Sequence, residues 1–121
     1  MNKILVVDDS RIFRNILHST LTEKNYDVIG MSANGQEALD FLKDAAVKPD
    51  IITLDITMPV LDGMDTLKII SENYPEIKVI MVSASGQKNK VMDALKIGAV
   101  DFIQKPFDTN EIGIIISRHC M

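Results

Sequence analysis

The fold is decided by the stretch Ile51-Ile52-Thr53-Leu54-Asp55-Ile56-Thr57-Met58-Pro59, in which an apolar run ends on a single carboxylate. A run of Ile, Thr and Leu predicts a buried strand, and Pro59 and Gly63 prevent that strand from continuing. Asp55 is therefore expected where the strand opens into a loop. Because a buried charge is costly unless it is paired or bound to a metal, other side chains are expected to converge on Asp55.

Strands and helices alternate along the chain. Apolar runs predict strands at Lys3–Val7, Tyr26–Met31, Ile51–Leu54, Lys78–Val82 and Val100–Gln104. Helical periodicity and capping residues predict helices that begin after Ser10, at Asn34-Gly35, at Asp62-Gly63, at Gly86, and at Asp108 or Thr109. This alternation is typical of an α/β fold, and we expect a doubly wound, five-stranded parallel sheet in the order 2-1-3-4-5 with five covering helices.

Apolar stripes on these helices indicate which side chains face the core. The predicted inward residues include Phe13, Ile16, Leu17 and Leu21 in the first helix and Val91, Ala94 and Leu95 in the fourth. His18 and His119 fall on the outer surfaces of the first and last helices, far from the acidic strand ends. Both histidines are therefore expected to be solvated.

The composition limits the classes of function. The 121 residues predict one domain, 1–121, and a net charge of -4 gives no basic patch for nucleic acid or an anionic membrane. No stretch has the apolar length of a signal-peptide core or a membrane-spanning helix. The only cysteine, Cys120, fits a reducing compartment. We therefore expect a cytoplasmic monomer that binds neither nucleic acid nor membrane.

Charged and polar side chains follow four of the predicted strands. Asp8 and Asp9 follow the first strand, Asp55 the third, Ser83 the fourth and Lys105 the fifth. The carboxyl ends of parallel strands share one edge, where ligands bind at the point of strand-order reversal. Two carboxylates about 4 Å apart repel by about 4 kcal/mol at an effective dielectric of about 20, so three acids require a cation or a shared proton. Hard oxygen ligands favour Mg²⁺ or Mn²⁺, and a phosphoryl group on Asp55 would fit this charge pattern.

With these residues in place, the chain resembles the receiver domains of two-component response regulators, most closely the stand-alone CheY-like kind. The resemblance rests on Asp8-Asp9, Asp55 with Met58-Pro59 and Asp62-Gly63, Ser83-Ala84, Gly98-Ala99, and Lys105-Pro106-Phe107. It extends over essentially the whole chain and implies the flavodoxin/CheY-like version of the doubly wound fold.

The resemblance also implies a chemistry for Asp55. This residue would accept a phosphoryl group from the phosphohistidine of a histidine kinase, in a reaction that depends on Mg²⁺. The metal would be bound by Asp9, Asp55 and the backbone carbonyl of Thr57, with Asp8 acting largely through water. Such a protein is not an enzyme, apart from phosphorylating itself from phosphodonors and removing its own phosphate.

The resemblance also implies a conformational switch. Ser83 and Lys105 would hold the phosphoryl group, and the Lys105-Pro106 bond would be cis. Phe102 would turn inward as Ser83 moves, and this would change the surface formed by the fourth helix, the fifth strand and the fifth helix.

Two positions depart from the pattern of many chemotaxis proteins. Thr57 replaces the Asn that is common two residues after the phosphoacceptor, and the small Ser85 lies two residues after Ser83. Both positions influence how quickly family members lose phosphate, so both are candidates for tuning the phosphate lifetime.

Several functions fit this outline. The leading hypothesis is a signalling switch that binds a protein such as the flagellar motor switch, in chemotaxis, and a phosphorelay intermediate is the alternative. A Mg²⁺-dependent phosphohydrolase with an aspartyl nucleophile is disfavoured because Thr57 occupies the place of its second acid. A flavin carrier is disfavoured because Asp8 and Asp9 would repel the flavin phosphate.

Overall fold

Five strands and five helices alternate along residues 2–120, the part of the chain described by the computed structural model. The strands are β1 (Lys3–Val7), β2 (Asp27–Ser32), β3 (Ile51–Asp55), β4 (Lys78–Ser83) and β5 (Asp101–Gln104). The helices are α1 (Arg11–Glu23), α2 (Gly35–Asp44), α3 (Gly63–Asn73), α4 (Lys88–Ile97) and α5 (Thr109–Ser117). All strand pairs are parallel and the order is β2-β1-β3-β4-β5, so the predicted doubly wound α/β fold is confirmed.

Helices cover both faces of the sheet. One cluster of buried side chains joins α1 and α5 to the sheet and consists of Ile4, Val6, Leu17, Leu21, Ile51, Ile80, Ile103, Ile112 and Ile116. The other cluster joins α2, α3 and α4 to the opposite face and includes Leu5, Val7, Ala38, Leu42, Ile52, Leu54, Leu67, Ile70, Val91 and Ala94. Successive residues of β1 point to alternate clusters, which is why this strand is apolar throughout. None of the described helices combines the length and hydropathy needed to cross a membrane.

Four helices begin with a side-chain cap. Ser10, Asn34, Asp62 and Asp108 each accept a hydrogen bond from the backbone amide three residues further on. A cap of this kind stabilises its helix by about 1 kcal/mol. Helix α4 differs, since Gln87 at its N-cap position makes no such bond.

Three details of the sequence-based prediction are wrong. Helix α4 begins at Lys88 and not at Gly86, because Gly86 has a φ of +85° that no helix accommodates. Ile16 and Leu95 do not face the core, since they are 37% and 38% exposed. In α1 the buried face is formed by Leu17, Thr20 and Leu21 instead.

The environment of His119 also differs from the prediction. His119 lies beyond the end of α5, and its Nε2 is 2.9 Å from Oδ2 of Asp101. Burial raises the pKa of Asp101, but hydrogen bonds from His119 and from the Phe102 amide outweigh burial and hold this pKa below its usual value. The contact ties the end of the chain to β5, whereas His18 is exposed as expected.

Gly63 allows the start of α3 to approach the end of β3. Its amide donates to the carbonyl of Ile56 at 2.8 Å. A Cβ at this position would lie 2.0 Å from the carbonyl oxygen of Asp55 and 2.7 Å from Cα of Ile56, and both of these are backbone atoms that cannot swing aside. Gly63 therefore sets how closely α3 packs behind Asp55.

We expect Gly63→Ala to lower the free energy of unfolding by about 2–3 kcal/mol, because the added methyl group must push α3 away from β3. Gly86→Ala is the matched control: nothing lies within 4 Å of its Cβ position, and only its positive φ opposes the substitution, at a cost of about 1 kcal/mol. Urea unfolding followed by circular dichroism measures the free energy of unfolding of both variants. Equal losses in the two variants would contradict this account of Gly63.

Candidate functional site

The sheet register brings the predicted site residues to one edge. Val7 pairs with Leu54, Asp55 pairs with Val82, and Ser83 pairs with Gln104. The residues that end or follow these strands therefore lie side by side. They are Asp8 and Asp9 after β1, Asp55 at the end of β3, Ser83 at the end of β4 and Lys105 after β5.

The three acids form a cluster. One carboxylate oxygen from each of Asp8, Asp9 and Asp55 can be chosen so that all three lie within 4.8 Å of one another. Asp8 is fully buried and Asp55 is 5% exposed, whereas Asp9 is open to solvent. Burial, followed by the negative charge of Asp8, raises the pKa of Asp55 to about 7, although the ammonium of Lys105 acts in the opposite direction. The cluster therefore holds more negative charge than its surroundings stabilise.

Lys105 supplies positive charge to this cluster. Its Nζ lies 2.9 Å from Oδ2 of Asp8 and 3.5 Å from Oδ2 of Asp55. The ammonium also lies 4.3 Å from the ring centre of Phe13, and this ring makes an edge-to-face contact with Phe107 at 5.4 Å between ring centres. A cation over an aromatic face is attracted to it, so Phe13 helps to hold the ammonium in place. The Lys105-Pro106 bond is cis.

Asp8 has one carboxylate oxygen that lies beside the Lys105 ammonium but has no hydrogen-bond partner among the described residues. Its Oδ1 accepts hydrogen bonds from the Ser10 amide at 2.9 Å and from Nζ of Lys105 at 3.2 Å. Its Oδ2 is buried and has no hydrogen-bond partner among the described residues. The short contact to Nζ at this oxygen is an ion pair without hydrogen-bond alignment. The Lys105 ammonium offsets the charge of this buried oxygen but does not satisfy it as a hydrogen-bond acceptor.

The donor set fits a magnesium ion. The cluster offers carboxylate oxygens and partial access to water, and Mg²⁺ prefers a few carboxylates with the remaining positions filled by water. Asp8 lies close enough to act through a bound water, and Asp9 and Asp55 would hold the ion. When bound, it would place positive charge beside any anionic group attached to Asp55.

The remaining predicted residues border the same edge. Ser83 is 3% exposed at the end of β4, and Thr57 and Ser85 are exposed in the loops after β3 and β4. Phe102 is 40% exposed on β5. Ser83 and Phe102 both line a groove of about 410 Å³ whose other walls include Met92 and Leu95 of α4.

Sequence reasoning missed two residues of the site. Phe13 was assigned to the apolar face of α1, and the pattern gave no sign that its ring would contact the Lys105 ammonium. Gln87 was not singled out, yet its side chain bonds both to Thr57 and to the Ala84 amide. The contacts of Phe13 with Lys105 and of Gln87 with Thr57 have no signal at sequence level, because each joins segments that are distant in the chain.

Comparison with known proteins agrees with this geometry. A family model for the response regulator receiver domain matches residues 4–117. The chain is 45% identical to the chemotaxis protein CheY of Listeria monocytogenes, over 93% of this chain and 92% of that protein. It is 50% identical to the protein-glutamate methylesterase/protein-glutamine glutaminase of Bacillus subtilis, over 88% of this chain but only 30% of that enzyme. The receiver domain of NtrX from Brucella abortus has a similar structure, with a TM-score of 0.88, 31% identity and 96% coverage of both chains.

A doubly wound α/β domain with clustered acids at the carboxyl edge of its sheet is the architecture of a two-component signalling domain. The chain belongs to the response regulator receiver domain family. Receiver domains of this type are signalling domains and not enzymes, and they generally bind Mg²⁺ at an acidic pocket. The family assignment and the predicted resemblance therefore agree.

Asp55→Asn should stabilise the protein at about pH 8, by about 1–2 kcal/mol, because it removes a buried charge that lies against Asp8. Since the pKa of Asp55 is about 7 when folded and 3.8 when unfolded, the folded wild type holds a proton more tightly than the unfolded chain. The wild type itself therefore gains stability as the pH falls through 7, and the advantage of the variant should shrink by about pH 6.

Urea unfolding of both proteins at the two pH values, without Mg²⁺, measures this difference. Asp93→Asn, at an exposed position on α4, is the matched control and should change little at either pH. An Asp55→Asn variant that is less stable than the wild type at about pH 8 would show that the site stabilises the charge on Asp55.

Proposed function

We propose that residues 1–121 form one receiver domain that works as a phosphorylation-dependent switch, with Asp55 as the phosphoacceptor. The observation that supports this most is the placement of Asp55 beside the acids Asp8 and Asp9 and the ammonium of Lys105, at the carboxyl edge of the sheet. A carboxylate oxygen of Asp55 attacks the phosphorus of a histidine kinase's phosphohistidine. The new O–P bond forms as the P–N bond breaks, and the leaving imidazole takes up a proton.

The other site residues stabilise the charge of the transferred group. Lys105 neutralises charge on the phosphoryl oxygens. Asp9, Asp55 and the Thr57 carbonyl, with Asp8 acting through water, would hold a Mg²⁺ ion that would supply further positive charge there. Mn²⁺ can replace Mg²⁺ because it prefers the same oxygen ligands. Ser83 donates a hydrogen bond to the phosphoryl group. Water then hydrolyses the acyl phosphate, which releases inorganic phosphate and restores the carboxylate.

The lifetime of the phosphorylated state depends on how water reaches the phosphorus. Thr57 and Ser85 are both exposed, in the loops that border Asp55, and their side chains are small. They therefore leave a path for the attacking water, and we assign them the tuning of hydrolysis.

The output surface is the region of α4, β5 and α5. When Ser83 moves towards the phosphoryl group, Phe102 turns into the groove that both residues line, and the exposed surface between α4 and β5 changes. The similarity to CheY proteins over most of both chains favours a chemotaxis role, with the flagellar motor switch as the target. A phosphorelay intermediate is the alternative, and it would pass the phosphoryl group to a histidine domain in place of binding a motor protein.

Incubation with phosphoramidate and Mg²⁺ should add one phosphoryl group to the wild type and none to Asp55→Asn, as measured by intact-protein mass spectrometry. Chelation of the metal should slow the reaction strongly, because the clustered acids repel the anionic donor. Asp62→Asn, an exposed acid at the start of α3, is the matched control and should react like the wild type.

Equal incorporation into Asp55→Asn would exclude Asp55 as the acceptor. Turnover of phosphate monoesters at enzymatic rates would indicate a phosphohydrolase instead.

A further inference from the structure

The side chain of Gln87 joins the two loops that border Asp55. Its Oε1 accepts a hydrogen bond from the Ala84 amide at 2.6 Å, and its Nε2 donates to Oγ1 of Thr57 at 2.8 Å. Thr57 lies two residues after Asp55, and Ala84 directly follows Ser83. One amide group therefore connects the loop after β3 to the loop after β4.

Gln87 makes these contacts in place of its expected local role. It occupies the N-cap position of α4, where the other four described helices have a side chain bonded to their own first turn. The Gln87 side chain turns away from its helix and towards the site. Gly86, directly before Gln87, is exposed, and nothing lies within 4 Å of its Cβ position.

The Ala84 amide is the group for which Gln87 and a phosphoryl group would compete. This amide is adjacent to Ser83, at the end of the strand that pairs with β3 beside Asp55. Backbone N–H groups at such positions are good donors to anionic oxygens. A hydrogen bond to a charged acceptor is roughly twice as strong as one to a neutral carbonyl, so a phosphoryl oxygen would displace Oε1 of Gln87.

We propose that Gln87 is a positioning residue that restrains the loop after β4 through Thr57 and the Ala84 amide, and that it releases this amide when Asp55 is phosphorylated. The inference rests on the proposed function and adds a restraint to it. The restraint opposes the phosphorylated arrangement, because the two hydrogen bonds of Gln87 must break before the loop can close on the phosphoryl group.

Gln87→Ala should therefore bind beryllofluoride, a stable mimic of the phosphoryl group, more tightly than the wild type in the presence of Mg²⁺. We expect an increase of about three- to tenfold in affinity by calorimetry, the range set by losing one or two ordinary hydrogen bonds. The rate of phosphorylation by phosphoramidate should rise in parallel. Gln36→Ala, an exposed glutamine on α2, is the matched control and should bind like the wild type.

Thr57→Val tests the other end of the contact. It removes the acceptor for Nε2 of Gln87 but keeps the backbone carbonyl. We expect a smaller gain in affinity than in Gln87→Ala, and no further gain when the two substitutions are combined, because both act on one restraint. Independent, additive effects would show that Gln87 does not act through Thr57.

Two measurements separate this role from a general effect on folding. The thermal midpoint of Gln87→Ala should stay within a few degrees of the wild type, and side-chain amide signals in ¹⁵N-labelled wild type should shift for Gln87 but not for Gln36 when beryllofluoride is added. If the wild type binds beryllofluoride but Gln87→Ala binds it equally or more weakly, the restraint is absent. If the wild type neither binds it nor accepts phosphate, the proposed function itself fails.

Discussion

The ammonium of Lys105 lies 2.9 Å from Asp8 and 3.5 Å from Asp55, and the geometry of the site depends on this balance of charge. Three acids share one edge of the sheet with one lysine, and burial together with the excess negative charge of this cluster raises the pKa of Asp55. The hydrophobic clusters on both faces of the sheet stabilise the fold strongly enough to tolerate this unfavourable arrangement. The same excess charge would attract a magnesium ion, and the bound ion would offset the negative charge of a phosphoryl group on Asp55.

Most of the fold could be predicted from the sequence because the strands are apolar throughout and end abruptly on Asp8, Asp55, Ser83 and Lys105. Parallel topology then placed these ends at one edge without any knowledge of side-chain contacts. The predicted residues Asp8, Asp9, Asp55 and Lys105 do lie together. The prediction was wrong for Ile16 and Leu95. Their spacing fits the apolar stripe of a helix, but both side chains lie at the solvent-exposed border of that stripe.

Side-chain contacts between separate segments of the chain could not be predicted. The contacts of Phe13 with Lys105, of His119 with Asp101 and of Gln87 with Thr57 all depend on side-chain direction in three dimensions. Periodicity specifies a face of a helix but not the rotamer or the partner. These contacts also differ in character from the core, since they are polar or partly exposed. Such contacts are well suited to restrain a switch.

The most direct test of the central claim is to locate the phosphoryl group by chemistry. An acyl phosphate on aspartate is reduced by borohydride to homoserine, which marks the modified position permanently. After treatment with phosphoramidate and Mg²⁺, peptide mass spectrometry should find homoserine at position 55. Homoserine at Asp8 or Asp9, or phosphate on His18 or His119 with none at Asp55, would contradict the account.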